Sequence, residues 1–198
     1  MQIRPLGVPD AFEITPTQHG DDRGTFLEWF KAEAFETATG HRLSLQQANC
    51  SVSRRGVLRG IHYADVPPGQ SKYVTCFAGA VLDVVIDLRV GSASFGAVDS
   101  VVLDDESRRA VYIAEGLGHA FMALSDQATV AYLCSEGYSP NREHGVHPLT
   151  AGLDLPWPGD VEPLLSDKDA AAPSLADAEA AGALPTYAAC RQWYDRFS

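Results

Sequence analysis

No apolar run in this chain approaches the roughly 18 residues a helix needs to span a bilayer. The N-terminus, MQIRPLGVPD, lacks the apolar core of a signal peptide. A cytoplasmic protein with no membrane partner is therefore expected. Cysteine is sparse: Cys50, Cys76, Cys134 and Cys190 are scattered, with no zinc-type spacing. The first three lie in apolar, strand-like segments and are expected to be buried free thiols. No strand is followed by the crossover helix that a parallel sheet needs. Internal repeats and low-complexity segments are absent. Positive charge is scarce too, with 15 Lys and Arg against 26 Asp and Glu, a formal net charge of −11. That balance argues against a nucleic-acid partner.

The 198 residues fit one domain, 1–198, able to bury a substantial core. With 45% hydrophobic and 21% charged residues, the composition is that of an ordinary soluble globular protein. The opening, Ile3 to Ile14, is broken by Pro5, Gly7 and Pro9 and reads as an edge strand leading into a turn. His19 to Gly24 reads as a loop, and Thr25 to Phe30 as strand. Ala32 to Thr39 is a helix closed by Gly40. Strand pattern resumes from Leu43 to Ser53 and again from Ala80 to Val90, where the preceding Ala78-Gly79 step predicts a hairpin. Val98 to Leu103, Ala110 to Ala114, Ala120 to Leu124 and Thr129 to Ser135 follow, separated by turn signals. Short strands at about 8–12-residue spacing argue for an all-β sandwich or barrel. From about residue 139 prolines recur. This tail is expected to wrap the barrel, with one helix from Ser174 to Gly182 capped by Ser174.

Gln47 to Cys76, QANCSVSRRGVLRGIHYADVPPGQSKYVTC, stands out. Four of the 15 basic residues fall between Arg54 and Lys72. A basic cluster in an acidic chain points to a small anionic ligand. Strand pattern on both sides of the Pro-Pro-Gly turn predicts His62 and Lys72 on adjacent strands of one sheet, facing the same side. A base beside a cation suits proton abstraction, because the cation stabilises the negative charge the base creates.

Six segments, RGTFLEWF, QANCSVSRRGVLRGIHY, PPGQSKYVTC, IAEGLGHAF, YLCSEGYSP and LLSDKDAAAPSL, resemble the dTDP-4-dehydrorhamnose 3,5-epimerase family. They occur in matching order from about Arg23 to about Leu175. The resemblance implies a cupin-like double-stranded β-helix (jelly roll) with a few short peripheral helices. It implies a homodimer with exchanged N-terminal strands, and catalysis with neither metal nor organic cofactor. The implied substrate is a dTDP-4-keto-6-deoxyhexose, inverted at C3, C5 or both beside its C4 ketone. Carried over by motif, His62 of RGIHY is the general base and Asp169 of SDKD its partner carboxylate. Lys72 matches the lysine near the C4 oxygen, and Tyr132 the tyrosine that returns a proton to the opposite face. Arg23, Glu28, Gln47, Asn49, Arg59, His119, Glu143 and Lys168 match nucleotide-sugar contacts. Tyr138 of GYSP resembles the ring that stacks on thymine. The chemistry agrees independently: a hydrogen α to a ketone leaves as a proton to give an enolate. A His and a Tyr facing each other across a pocket can take and return that proton.

Two other classes compete. A metal-dependent cupin uses paired histidines, typically separated by one residue, whereas His62 is followed by Tyr63 and Ala64. His144 and His147 fall in what reads as loop and are not expected to bind metal. A non-catalytic sugar-binding jelly roll has no need of His62, Lys72, Tyr132 and Asp169 together.

Overall fold

The structure is a computed structural model and describes residues 1–196. Its elements run β1 (Gln2–Pro5), β2 (Ala11–Thr15), β3 (Gln18–Asp21), β4 (Gly24–Leu27) and helix α1 (Ala32–Thr39). Next come β5 (Gln47–Arg54), β6 (Leu58–Ala64), β7 (Lys72–Ala78), β8 (Ala80–Ile86), β9 (Val98–Asp104) and β10 (Ala110–Ile113). The remainder is β11 (Gly118–Ala123), β12 (Gln127–Cys134), β13 (Glu143–Gly145), α2 (Asp167–Ala170), α3 (Leu175–Ala180) and α4 (Tyr187–Tyr194).

Two antiparallel sheets face each other. One has six strands in the order β1-β2-β10-β7-β12-β5, the other five in the order β13-β6-β11-β8-β9. From β5 to β8 and again from β9 to β13 the chain changes sheet at every step. That alternation makes the two sheets a double-stranded β-helix, the jelly roll that the family resemblance implies. Val74, Cys76, Val81, Val85, Phe121 and Val130 pack between the sheets. Each such side chain contributes about 1.5–3 kcal/mol by leaving water.

The outer face of the five-stranded sheet carries a second apolar layer. Ile61, Tyr63, Val84 and Ile86 pack against Val146, Leu175, Ala178 and Leu184 of the C-terminal segment. Parallel bridges tie that segment on, Val57 to Leu164 and Val90 to Thr186. Ser174 caps α3 by accepting the Asp177 N–H, as its sequence signature predicts. Gly40 ends α1 in the left-handed region at φ 71°. Among the described residues no helix is long and apolar enough to cross a membrane.

Several expectations are corrected. β6 and β7 belong to opposite sheets, so His62 and Lys72 face each other across the interior instead of sharing a sheet face. The Ala78-Gly79 step makes no hairpin: β7 pairs with β10 and β12, and β8 with β11 and β9. Gly79, at φ 74°, turns the chain from one sheet to the other where any Cβ would collide with Gln127 O and Ser125 Oγ. His19 to Gly24 is not a loop; it is most of a β3–β4 hairpin. The proline-broken opening forms two paired strands, β1 and β2, instead of one. Cys50 is exposed, because β5 is an edge strand and alternation turns Cys50 outward when Asn49 turns in. All four cysteines are free.

Candidate active site

The two sheets enclose a cavity of about 260 Å³ at one end of the jelly roll. Gln47 and Asn49 of β5, Lys72 of β7 and Tyr132 of β12 form one wall. Arg59 and His62 of β6, with Glu143 and His144 of β13, form the other. The start of α2 contributes Ser166, Lys168 and Asp169, and loops supply Gln70 and Tyr138.

Arg59 and His62 are three residues apart, a spacing that in a regular strand puts side chains on opposite faces. A bulge reconciles them: β11 pairs His119 with His62 and Phe121 with Arg59, leaving one extra residue on β6. Gly60 makes this possible at φ 117°, with its absent Cβ 2.5 Å from His119 O.

His62 Nε2 lies 2.7 Å from Asp169 Oδ1. Asp169 is buried at the end of a short helix whose first N–H groups need a cap, and Ser166 Oγ accepts the Asp169 N–H at 3.1 Å. A carboxylate only accepts, so His62 donates through Nε2–H and its reactive lone pair is on Nδ1. Burial pulls the His62 imidazole below its usual range, against the Asp169 hydrogen bond that pushes it up; Lys72 adds to the lowering. Asp169 ends below the ordinary carboxylate range: burial works to raise it, and the hydrogen bond and charge of His62 outweigh that. At neutral pH the pair is a neutral imidazole on a carboxylate, a base ready to accept a proton.

Across the cavity, burial pushes the Tyr132 phenol up, so it stays a proton donor. Burial lowers Lys72, while Cys134, Glu143 and Asp83 act to hold it charged. Cys134 is the cross-strand partner of Lys72. At the mouth, Gln47 Oε1 accepts the Tyr138 N–H at 2.9 Å and Gln47 Nε2 donates to Asn49 Oδ1 at 2.7 Å. These bonds hold the backbone of Tyr138, whose ring is 62% exposed and presents a free aromatic face. Among the described residues no three His, Cys, Asp or Glu side chains converge in a way that could hold a metal ion.

Ten of the thirteen residues singled out by sequence line this cavity: His62, Tyr132, Lys72, Asp169, Gln47, Asn49, Arg59, Tyr138, Glu143 and Lys168. Three do not. Arg23 pairs with Asp21 in the exposed β3–β4 hairpin, and Glu28 sits beside Lys31 just beyond it. His119 is buried behind His62 with Nε2 2.7 Å from Asp83 Oδ2. Gln70, His144 and Ser166 line the cavity without having been foreseen. Only Ser166 carried a signal, a Ser three residues before Asp169. His144 is in β13, not in a loop, and its Nε2 lies 2.7 Å from Asp65 Oδ1.

A sequence model of the dTDP-4-dehydrorhamnose 3,5-epimerase family matches residues 5–177. The chain is 56% identical over 195 residues to the dTDP-4-dehydrorhamnose 3,5-epimerase of Mycolicibacterium smegmatis, covering 98% of this chain and 96% of that one. The crystal structure of a 4-keto-6-deoxy sugar epimerase from the novobiocin gene cluster of Streptomyces spheroides is 57% identical. It superposes with a TM-score of 0.93, covering 96% of this chain and 95% of that one. A 3'-monoepimerase from Streptomyces bikiniensis, solved with dTDP-quinovose, is 51% identical with a TM-score of 0.94 and 97% coverage of both chains. Matched in sequence over nearly its whole length and in structure with TM-scores of 0.93 and 0.94, the chain belongs to the dTDP-4-dehydrorhamnose 3,5-epimerase family.

Proposed function

We propose that this protein is an isomerase that epimerises a dTDP-4-keto-6-deoxyhexose at C3, C5 or both, in deoxysugar nucleotide biosynthesis. The observation that carries the reading is the facing of the His62–Asp169 pair with Lys72 and Tyr132 around one cavity in a chain of this family. His62 Nδ1 takes the proton from a carbon beside the C4 ketone. The C–H electron pair moves into a C=C bond and the carbonyl pair onto oxygen, giving an enolate. The Lys72 ammonium stabilises that oxyanion. Tyr132 gives its proton to the opposite face of the carbon, the ketone re-forms, and the imidazolium and phenolate return to their starting states through solvent.

Arg59 and Lys168 supply charge for the pyrophosphate, and charge-assisted contacts of this kind are among the stronger hydrogen bonds. Tyr138 offers its exposed ring to thymine, worth roughly 1–3 kcal/mol by analogy with base–aromatic stacking. Gln47, Asn49 and Glu143 complete the polar wall. Arg23 and Glu28 join the site from a second copy of the chain. Support comes from the projecting β3–β4 hairpin, its Phe26 at 68% exposure, and the open edge of β5 with exposed Val52. A homodimer that exchanges this hairpin covers the apolar side chains and brings the two charges to a cavity they do not line within one subunit.

Incubation with dTDP-4-keto-6-deoxyglucose in deuterated water, followed by NMR, tests the reading. Deuterium at C3, C5 or both is expected. No exchange, together with no binding of dTDP by calorimetry, would overturn it.

A further inference from the structure

His144 lines the cavity but has no part in the proton transfers above. It is the middle residue of β13, the edge strand of its sheet, and pairs with Tyr63 of β6. A backbone bond from Asp65 N to Arg142 O at 3.0 Å carries the ladder one residue further. Asp65 and His144 are therefore diagonal neighbours on one face of the sheet, within reach of each other's side chains. They meet: His144 Nε2 lies 2.7 Å from Asp65 Oδ1. The Tyr63 ring packs against the imidazole, with the centroids 5.4 Å apart.

Asp65 does not itself line the cavity, so its charge meets the cavity through His144. A carboxylate only accepts, so Nε2 carries a hydrogen and Nδ1 is the ring's remaining polar atom. In the neutral ring Nδ1 is a lone pair with a negative charge behind it, which repels an anion. In the imidazolium Nδ1–H is a donor and the pair with Asp65 is neutral. The other charges of the site favour the second state once a diphosphate enters. Arg59, Lys72 and Lys168 are three cations, set against two carboxylates, Asp169 beside His62 and Glu143 on the same strand as His144. Arg23 and Glu28 of the hairpin add one charge of each sign, and nearby Arg142 donates to Ser139 Oγ. That leaves a single positive charge to face a group that ionises on both phosphates.

We propose that His144, aimed by Asp65, is a further binding residue for the diphosphate of the nucleotide sugar and takes up a proton when that ligand binds. The proposal rests on the epimerase reading and deepens it. Protonation and binding favour each other, because linkage is reciprocal. Arg59 and Lys168 are cationic in either state, so the effect is a step in affinity, and the limbs of the rate profile stay with the catalytic groups.

The test is calorimetry with dTDP-glucose, whose diphosphate gains and loses no proton near neutral pH. Titrations at one neutral pH in two buffers of different ionisation enthalpy read the protons taken up. The wild type should take up part of a proton and bind about 10-fold more tightly at pH 6 than at pH 8.5, the gain of one charge-assisted hydrogen bond. His144→Gln should take up none, hold one affinity across that range, and match the wild type at pH 8.5. Asp65→Asn should fall between the two. Thymidine, which has no phosphate, should bind all three alike. In turnover at pH 6, His144→Gln should raise KM while kcat changes less than about 3-fold, the mark of lost uniform binding. The two side chains are 34% and 48% exposed, so both variants are expected to melt with the wild type. A wild-type affinity that does not change with pH would overturn the proposal without any variant. So would proton uptake that persists in His144→Gln, uptake that disappears in His62→Asn instead, or a loss of thymidine binding in His144→Gln. Each of these leaves the epimerase reading standing. A wild type that neither binds dTDP-glucose nor turns over dTDP-4-keto-6-deoxyglucose would overturn that reading, and this proposal with it.

Discussion

At His62, the bond between Nε2 and Asp169 decides which nitrogen reacts and when. Because burial lowers the imidazole, its basic form persists below the usual imidazole range. Activity needs that form, so it is present above the shifted value and lost on acidification through it. The acid limb of kcat/KM should therefore fall below the ordinary histidine range near pH 6.5. The basic limb should follow Lys72, which burial lowers, before Tyr132, which burial raises. A pH–rate series checks both limbs; an acid limb above pH 6.5 would contradict the lowered imidazole. Tyr132→Phe separates the two proton transfers. His62 should still exchange the substrate hydrogen with solvent, while completed inversion falls about 10²-fold further than exchange does. Equal loss of both in the NMR assay would mean that Tyr132 only positions the sugar.

At the scale of elements, the bulge at Gly60, the cap at Ser166 and the β3–β4 hairpin each place a functional side chain. The hairpin carries a prediction about trans action. Arg23→Ala and His62→Asn are each expected to be weak alone. A mixed dimer of the two holds one site with both residues intact, if Arg23 crosses to the partner. Mixing the variants, with dissociation and reassociation, should restore activity toward about a quarter of the wild type, because about half of the dimers are then mixed and each holds one intact site of two. A mixture no more active than its components would place Arg23 in its own subunit's site. Elements with local signatures were legible in the sequence. Gly40 marks the end of α1 and Ser174 the start of α3, and the short strands announce themselves by alternation. What was hidden depends on pairing over long distances. Nothing local tells that β6 and β7 enter different sheets, so His62 and Lys72 were expected to share one sheet face, whereas they face each other from opposite sheets. α2 is only four residues long, too short for a periodic signal, and SDKD alone reads as a turn. α4, with its Thr186 cap, lay in a stretch read as tail. Cys50 looked like core because it lies in a strand-like segment, and only the edge position of β5 exposes it.

Across the whole molecule, the site depends on a rigid jelly roll, and Arg89 is one of the residues that fasten it. Fully buried, Arg89 bonds to Asp87 at 2.8 Å, to Asp10 at 2.6 Å and to Pro9 O at 3.1 Å, joining the loop after β8 to the N-terminal turn. Its removal leaves the buried Asp87 carboxylate without an ion pair. Arg89→Met should cost roughly 3–5 kcal/mol in stability, read as a lowered denaturation midpoint, without changing dTDP affinity in the fraction that folds. A midpoint within error of the wild type would mean that the acidic groups find water instead. The account's central claim is that His62 removes the proton beside the ketone, and solvent exchange in His62→Asn tests it most directly. The variant keeps a polar side chain but accepts no proton at neutral pH. With dTDP-4-keto-6-deoxyglucose in deuterated water, its deuterium incorporation at the sugar carbons should fall by about 10²–10⁴-fold, with dTDP affinity nearly unchanged. Incorporation at the wild-type rate would contradict the claim and assign the base to another residue.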